Sequence, residues 1–144
     1  MRVLVQRSLD SSVKVNNKIT GKIDKGLVLL VGFTEGDNLN KIKYLVNKVL
    51  NLRVFDDENG VMNKSILEVG GSILSISQFT LYADTSKGNR PSYIKALKGE
   101  ESTKLYDIFN EELNKFIHVE TGIFGADMEV NIKNDGPCTI LLER

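Results

Sequence analysis

The run Gly26-Leu27-Val28-Leu29-Leu30-Val31-Gly32-Phe33 is apolar almost without interruption. A strand with one wet face alternates polar and apolar side chains. An unbroken apolar run of strand length suits a central strand covered on both faces. The flanking segments read as further strands. In residues 2–8, Val3 and Val5 alternate with Leu4 and Gln6. Val13 and Val15 are separated from Ile19 by Asn16-Asn17, a hairpin signal because asparagine tolerates positive φ. Three early strands thus follow one another through short turns.

Asp37 or Asn38 is placed to cap a helix beginning near Leu39. Ile42, Leu45, Val46, Val49 and Leu50 then recur at helical spacing, with Lys41, Lys43 and Lys48 on the other side. Arg53-Val54-Phe55 reads as a short strand and Asp56 to Gly60 as a turn. Gly70-Gly71 punctuates the chain before the strand Ser72–Ser77. Residues 83–100 are polar, carry Gly88, Pro91 and Gly99, and read as a long loop, a feature usually tied to function or mobility. Ser102 or a neighbour is expected to cap a second helix with Leu105, Ile108, Phe109, Leu113 and Phe116 as its apolar stripe. Met128, Val130 and Ile132 alternate with polar residues in a half-buried strand. A turn at Asn134–Gly136 leads to a last strand, Thr139 to Leu142. The total of roughly seven to nine strands and two helices argues an α+β fold: one domain over 1–144 with a curled, barrel-like, largely antiparallel or mixed β-sheet flanked by two helices.

The chemistry is bounded by what is scarce. His118 is the only histidine and Cys138 the only cysteine. A zinc site of the usual His/Cys kind cannot be assembled from them. A Ser-His-Asp triad would have to use His118, which sits at a charged element junction and reads as a surface residue. An enzyme built on this chain is expected to work without metal, cofactor or histidine. One cysteine forms no internal disulfide, which fits a reducing, cytoplasmic setting. No apolar stretch is long enough to span a bilayer, and the start is too quickly charged for a signal peptide. The net charge of zero argues against a protein that grips long duplex nucleic acid through many phosphates. It leaves room for a local basic patch that touches one nucleic-acid end.

Two segments look chemically active. Ser77-Gln78-Phe79-Thr80-Leu81 places two hydroxyls and an amide at a strand end, where they could bind a polar ligand or turn backbone N–H groups toward an oxyanion. Thr80 could serve as a nucleophile only with a base, and the segment holds none; Asp84 is the nearest in sequence. The plain alternative is a strand end with local caps. Asn134-Asp135-Gly136-Pro137 reads either as a tight hairpin turn or as a cis peptide that lets another molecule approach the backbone. Lys87, Arg90, Lys95 and Lys98 surround Tyr93 in the long loop. This pattern can hold phosphate and stack a base, or can be a solvated lysine-rich loop.

These segments resemble the D-aminoacyl-tRNA deacylases. The likeness runs through Val5-Gln6-Arg7, Gly70-Gly71-Ser72 to Leu81, Ala83-Asp84-Thr85, Lys87 to Ser92, Thr121 to Met128, and Asn134 to Thr139, and so covers essentially the whole chain. It implies a homodimeric, metal-independent hydrolase of carboxylic esters that frees D-amino acids, and mischarged glycine, from the 3′ end of tRNA. It implies ester binding and catalysis at Ser77, Gln78, Phe79 and Thr80. It further implies a Gly136-cisPro137 motif that reaches into the partner subunit's site and excludes L-amino acids by backbone clash. Lys87, Arg90 and Lys95 would contact tRNA. The terminal 2′-OH of the RNA would activate water, with Thr80 as the alternative nucleophile. Ser8, Tyr93 and Cys138 depart from the usual family residues without removing a proposed functional group. A non-catalytic RNA-end binding module and a purely structural homodimer are the competing readings.

Overall fold

The computed structural model describes residues 1–144. Its strands are β1 (Arg2–Ser8), β2 (Ser11–Val15), β3 (Lys18–Ile23), β4 (Gly26–Gly32), β5 (Phe55–Asp56), β6 (Met62–Lys64), β7 (Ser72–Ser77), β8 (Val119–Thr121), β9 (Glu129–Asn131) and β10 (Asn134–Glu143). The helices are α1 (Leu39–Asn51), α2 (Ile66–Val69) and α3 (Gly99–Asn114), with a 3-10 turn at Phe79–Tyr82. The main sheet has the order β10-β1-β4-β7-β8. Its β10-β1-β4 half is antiparallel and its β4-β7-β8 half parallel. A second sheet, β3-β2-β9, is antiparallel, and β5 pairs with β6 in a small ribbon. The sheets stay separate and do not close into a barrel.

β4 is central and buried along almost its whole length, as its unbroken apolar sequence requires. Leu27, Leu29 and Val31 join Ile73 of β7 and the apolar stripes of α1 and α3 in the larger core. Val28 faces the other way. With Leu74 and Ile76 it meets Val13 and Ile23 of the second sheet in a smaller core. The main sheet is therefore a middle layer, with helices on one face and the β3-β2-β9 sheet on the other. β4 and β7 are the strands that both cores share.

Local signals placed several elements. Asn16 and Asn17 take φ of 50° and 62° in the β2–β3 hairpin. Asn38 caps α1, its Oδ1 accepting from the N–H groups of Asn40 and Lys41 at 3.0 and 3.3 Å. Asp37 is drawn elsewhere, accepting from the Thr34 N–H at 2.8 Å and the Met1 amine at 2.7 Å. Other expectations moved. The short strand near residue 54 is Phe55–Asp56, and a one-turn helix, α2, follows it behind a Ser65–Glu68 capping box. α3 begins at Gly99 behind Lys98, which makes no side-chain cap, and Ser102 lies buried inside the helix rather than at its start. β10 begins at Asn134, five residues earlier than the composition of its apolar part indicates. No helix is long and apolar enough to cross a membrane.

Candidate active site

β7 ends at Ser77, and the chain turns at once into the 3-10 turn. Gln78 forms the corner, with φ −146° and ψ 81°. Its N–H still donates to the Val31 carbonyl at 2.7 Å, which ties the corner to β4. Gly32 makes this approach possible, since a Cβ there would sit 2.9 Å from the Gln78 carbonyl oxygen. A 3-10 turn leaves the N–H groups of its first residues without an acceptor inside the turn. Here those residues are Phe79 and Thr80; Leu81 reaches back to the Gln78 carbonyl at 3.3 Å. The Gln78 side chain does not cap the turn. Its Nε2 donates instead to Thr80 Oγ1. The threonine oxygen is thus an acceptor, and its partner is an amide donor that cannot take its proton.

Ser77, Gln78 and Phe79 line a cleft of about 400 Å³. Lys98, Gly99 and Ser102 at the start of α3 also line it, as do Phe124 to Met128 in the segment before β9. With Val31 to Phe33 at the end of β4, four stretches of chain far apart in sequence thus converge on one concavity. Of the α3 start, sequence reasoning singled out Lys98 among the cations that can hold phosphate; Ser102 it read only as a helix cap. The Phe124–Met128 segment entered only as part of the family likeness running from Thr121 to Met128, with no role assigned to it.

The Gly136–Pro137 peptide bond is cis. It does not belong to a tight hairpin between two strands. Gln6 of β1 pairs with Thr139 and Ser8 with Asn134, so the single residue Arg7 faces the four residues Asp135 to Cys138. The excess residues bulge from the edge strand and leave Gly136 and Pro137 exposed. Arg7 braces the bulge from below the sheet edge. Its Nε donates to the Asp135 carbonyl at 3.2 Å and its Nη1 to the Val54 carbonyl at 2.7 Å. Asn134 closes the bulge from the other end, its Oδ1 accepting from the Cys138 N–H at 3.1 Å and its Nδ2 donating to Thr139 Oγ1 at 2.8 Å. Gly136 has φ +122°, and a Cβ there would lie 3.0 Å from the Cys138 nitrogen. Gly136 and Pro137 are not among the residues lining the cleft of their own chain.

The long loop is tied down at several points. Asp84 and Ser92 exchange backbone hydrogen bonds of 2.8 and 2.9 Å, and the Leu97 N–H donates to the Phe33 carbonyl at 2.9 Å. Lys95 pairs with Asp84 at 3.1 Å. The hydroxyl and N–H of Ser86, and then Lys95, hold the Asp84 carboxyl well below the usual carboxylate range. So weak a base is poorly suited to take a proton from Thr80. Lys87 and Arg90 are exposed on the same loop. His118 is exposed and hydrogen-bonded to Glu120 at 2.7 Å, outside the cleft.

The family model described as D-Tyr-tRNA(Tyr) deacylase matches residues 4–143. A Clostridium acetobutylicum protein named D-aminoacyl-tRNA deacylase is 53% identical over 144 residues, which is 99% of this chain and 97% of that protein. A Lactobacillus gasseri protein of the same name is 51% identical over 99% of both chains. Among solved structures, one titled c-Myc DNA Unwinding Element Binding Protein superposes with a TM-score of 0.95 at 39% identity, covering 100% of this chain and 99% of that one. A probable eukaryotic D-amino acid tRNA deacylase, 18% identical with a TM-score of 0.82 over 98% and 97% of the two chains, shares the fold. With a match running from β1 to the end of β10, the chain belongs to the D-Tyr-tRNA(Tyr) deacylase family.

Proposed function

We propose that residues 1–144 act as one deacylase domain that hydrolyses the ester of D-aminoacyl-tRNA, and of mischarged glycyl-tRNA, in the cytoplasm. Water adds to the ester carbonyl, the acyl C–O bond breaks, and the products are the free amino acid and tRNA with its terminal hydroxyl restored. The observation that carries this reading is the corner at Gln78, where the N–H groups of Phe79 and Thr80 open the 3-10 turn beside the cleft. Backbone donors of this kind stabilise the oxyanion of a tetrahedral intermediate without a protein base. Thr80 is hydrogen-bonded to the Gln78 amide, which is no base, and it is not among the residues lining the cleft, so its hydroxyl is not activated as a nucleophile. The terminal 2′-OH of the RNA then takes the role of activating water. The names of the curated relatives point to the same substrate.

In this reading the Gly136-Pro137 bulge of a second copy enters the cleft and rejects L-amino acids, since both residues stand exposed on a braced edge and lie outside their own cleft. Rigid backbone discriminates by clash, so it admits many D side chains, and also glycine, which has none. A paired assay on D-Tyr-tRNA and L-Tyr-tRNA tests the proposal. Hydrolysis of the D-ester alone, undiminished by EDTA, is expected; equal rates on both would end it. Full activity on tRNA ending in 2′-deoxyadenosine would transfer the mechanism from the RNA to Thr80.

A further inference from the structure

Phe79 carries more than a backbone donor. Its side chain lines the cleft and is still 53% exposed. The ring of Tyr93 stands edge-on to it, with centroids 5.0 Å apart and planes at 71°. Neighbouring Ile94 is 85% exposed. Large apolar side chains this exposed beside a cleft need a partner to justify them.

The charge around them names the partner. Residues 79–98 hold four cations, Lys87, Arg90, Lys95 and Lys98, against one carboxylate, Asp84, in a chain whose net charge is zero. Asp84 is already engaged by Lys95. Lys87, Arg90 and Lys98 make no ion pair, and Lys98 lies on the cleft itself. The loop that presents Tyr93 is fixed beforehand by the Asp84–Ser92 bridge, the Tyr93 carbonyl to Ala96 N–H bond of 3.0 Å, and the Leu97–Phe33 bond. Aromatic faces among unpaired cations on a tethered loop are the elements of a single-strand nucleic-acid platform, in which bases stack and phosphates are neutralised.

We infer that the Phe79–Tyr93 pair forms a ledge at the cleft mouth that stacks the base next to the terminal adenosine, with Lys87 and Arg90 on the phosphates behind it. This rests on the deacylase reading, and extends the recognised substrate from one nucleotide to a short single-stranded RNA end.

The test compares D-tyrosyl esters of adenosine and of a single-stranded trinucleotide ending in adenosine. Base–aromatic stacking makes the wild-type kcat/KM about 5- to 100-fold higher on the trinucleotide. In Tyr93→Ala that ratio falls toward one, whereas Tyr93→Phe keeps it. The ratio is taken within each variant, so any loss of folded protein cancels. Lys87→Ala with Arg90→Ala reduces the slope of log kcat/KM against log salt by about 1.4, roughly 0.7 for each phosphate no longer neutralised. If the wild type cleaves neither these esters nor D-Tyr-tRNA, the deacylase reading fails; if it cleaves D-Tyr-tRNA but not the trinucleotide ester, the ledge alone is refuted. If it cleaves both esters equally, or Tyr93→Ala leaves the ratio unchanged, the ledge alone is refuted.

Discussion

Replacing Arg7 by methionine probes the link between the protein interior and the Gly136-Pro137 bulge. The Arg7 side chain is only about one-tenth exposed. It reaches the Val54 carbonyl at 2.7 Å, the Asp135 carbonyl at 3.2 Å, and the carboxylates of Asp56 and Asp135 at 3.2 and 3.3 Å. Both carboxylates are substantially exposed, so as ion pairs each contributes at most about 1 kcal/mol. The two carbonyls matter more. A hydrogen bond from a charged donor is worth about 1.5–3 kcal/mol, and the Val54 oxygen would be left buried without a partner. Methionine fills similar space but donates nothing, so losing the two bonds costs about 3–6 kcal/mol. For a chain of this length that lowers Tm by about 10–20 °C. Lysine, with one compact ammonium in place of the fork, is expected to recover only part of it.

The functional consequence follows from where the lost bonds act. With Asp135 released, the four residues facing position 7 lose their brace, and the bulge samples a wider range of positions. In the proposed reading this loosens the clash that rejects L-esters. Thermal denaturation gives the stability term, and D-Tyr-tRNA against L-Tyr-tRNA hydrolysis below the variant's Tm gives the selectivity term. The expected outcome for Arg7→Met is a lower Tm with a D:L rate ratio reduced at least tenfold. An unchanged Tm would refute the brace. A lower Tm with an intact ratio would separate Arg7 from chiral selection.

Gly136→Ala places a Cβ 3.0 Å from the Cys138 nitrogen at φ +122° and should cost about 1–3 kcal/mol in a denaturant titration; the D:L ratio should fall with it, and an unaltered ratio would count against selection at this residue. Arg2 donates to the Leu81 carbonyl at 2.8 Å and lies 4.6 Å over the Tyr82 ring, so Arg2→Met frees the end of the 3-10 turn. Its kcat should drop about ten- to a hundredfold with KM little changed, and an equal rise in KM would point to substrate binding instead. Because the folded pKa of Asp84 lies below its ordinary 3.8, the stability it contributes is complete above that value and lost as pH falls below it. The Tm gap between wild type and Asp84→Asn should therefore be present at pH 7 and shrink in acid; a gap independent of pH would show that the carboxylate charge is not what anchors the loop.

Much of the scaffold was legible because it rests on local rules. An unbroken apolar run led to a strand covered on both faces, and β4 is that strand. Asn16-Asn17 and Asn38 acted through their own side chains and backbone within a few residues. The Ser65–Glu68 capping box was equally local and readable, yet α2 is so short that no apolar period accompanies it. Ser102 misled because cap propensity is weak against tertiary burial. Packing against the cleft drew it inside α3, and Lys98 took the boundary without a side-chain bond.

The site divides along the same line. Its inventory is written in the order of residues alone: one histidine, one cysteine, the hydroxyls and amide of Ser77–Thr80, and a glycine before proline. That inventory directs the chemistry toward backbone donors, since these need no particular side chain. Folding in three dimensions was required to bring the strand end, the start of α3 and the Phe124–Met128 segment to one cleft. It was also required to set one arginine of β1 against four residues of β10. Arg7 and Asp135 are 128 positions apart. Their meeting depends on strand register, which is fixed by the burial of whole faces rather than by any residue's local preference.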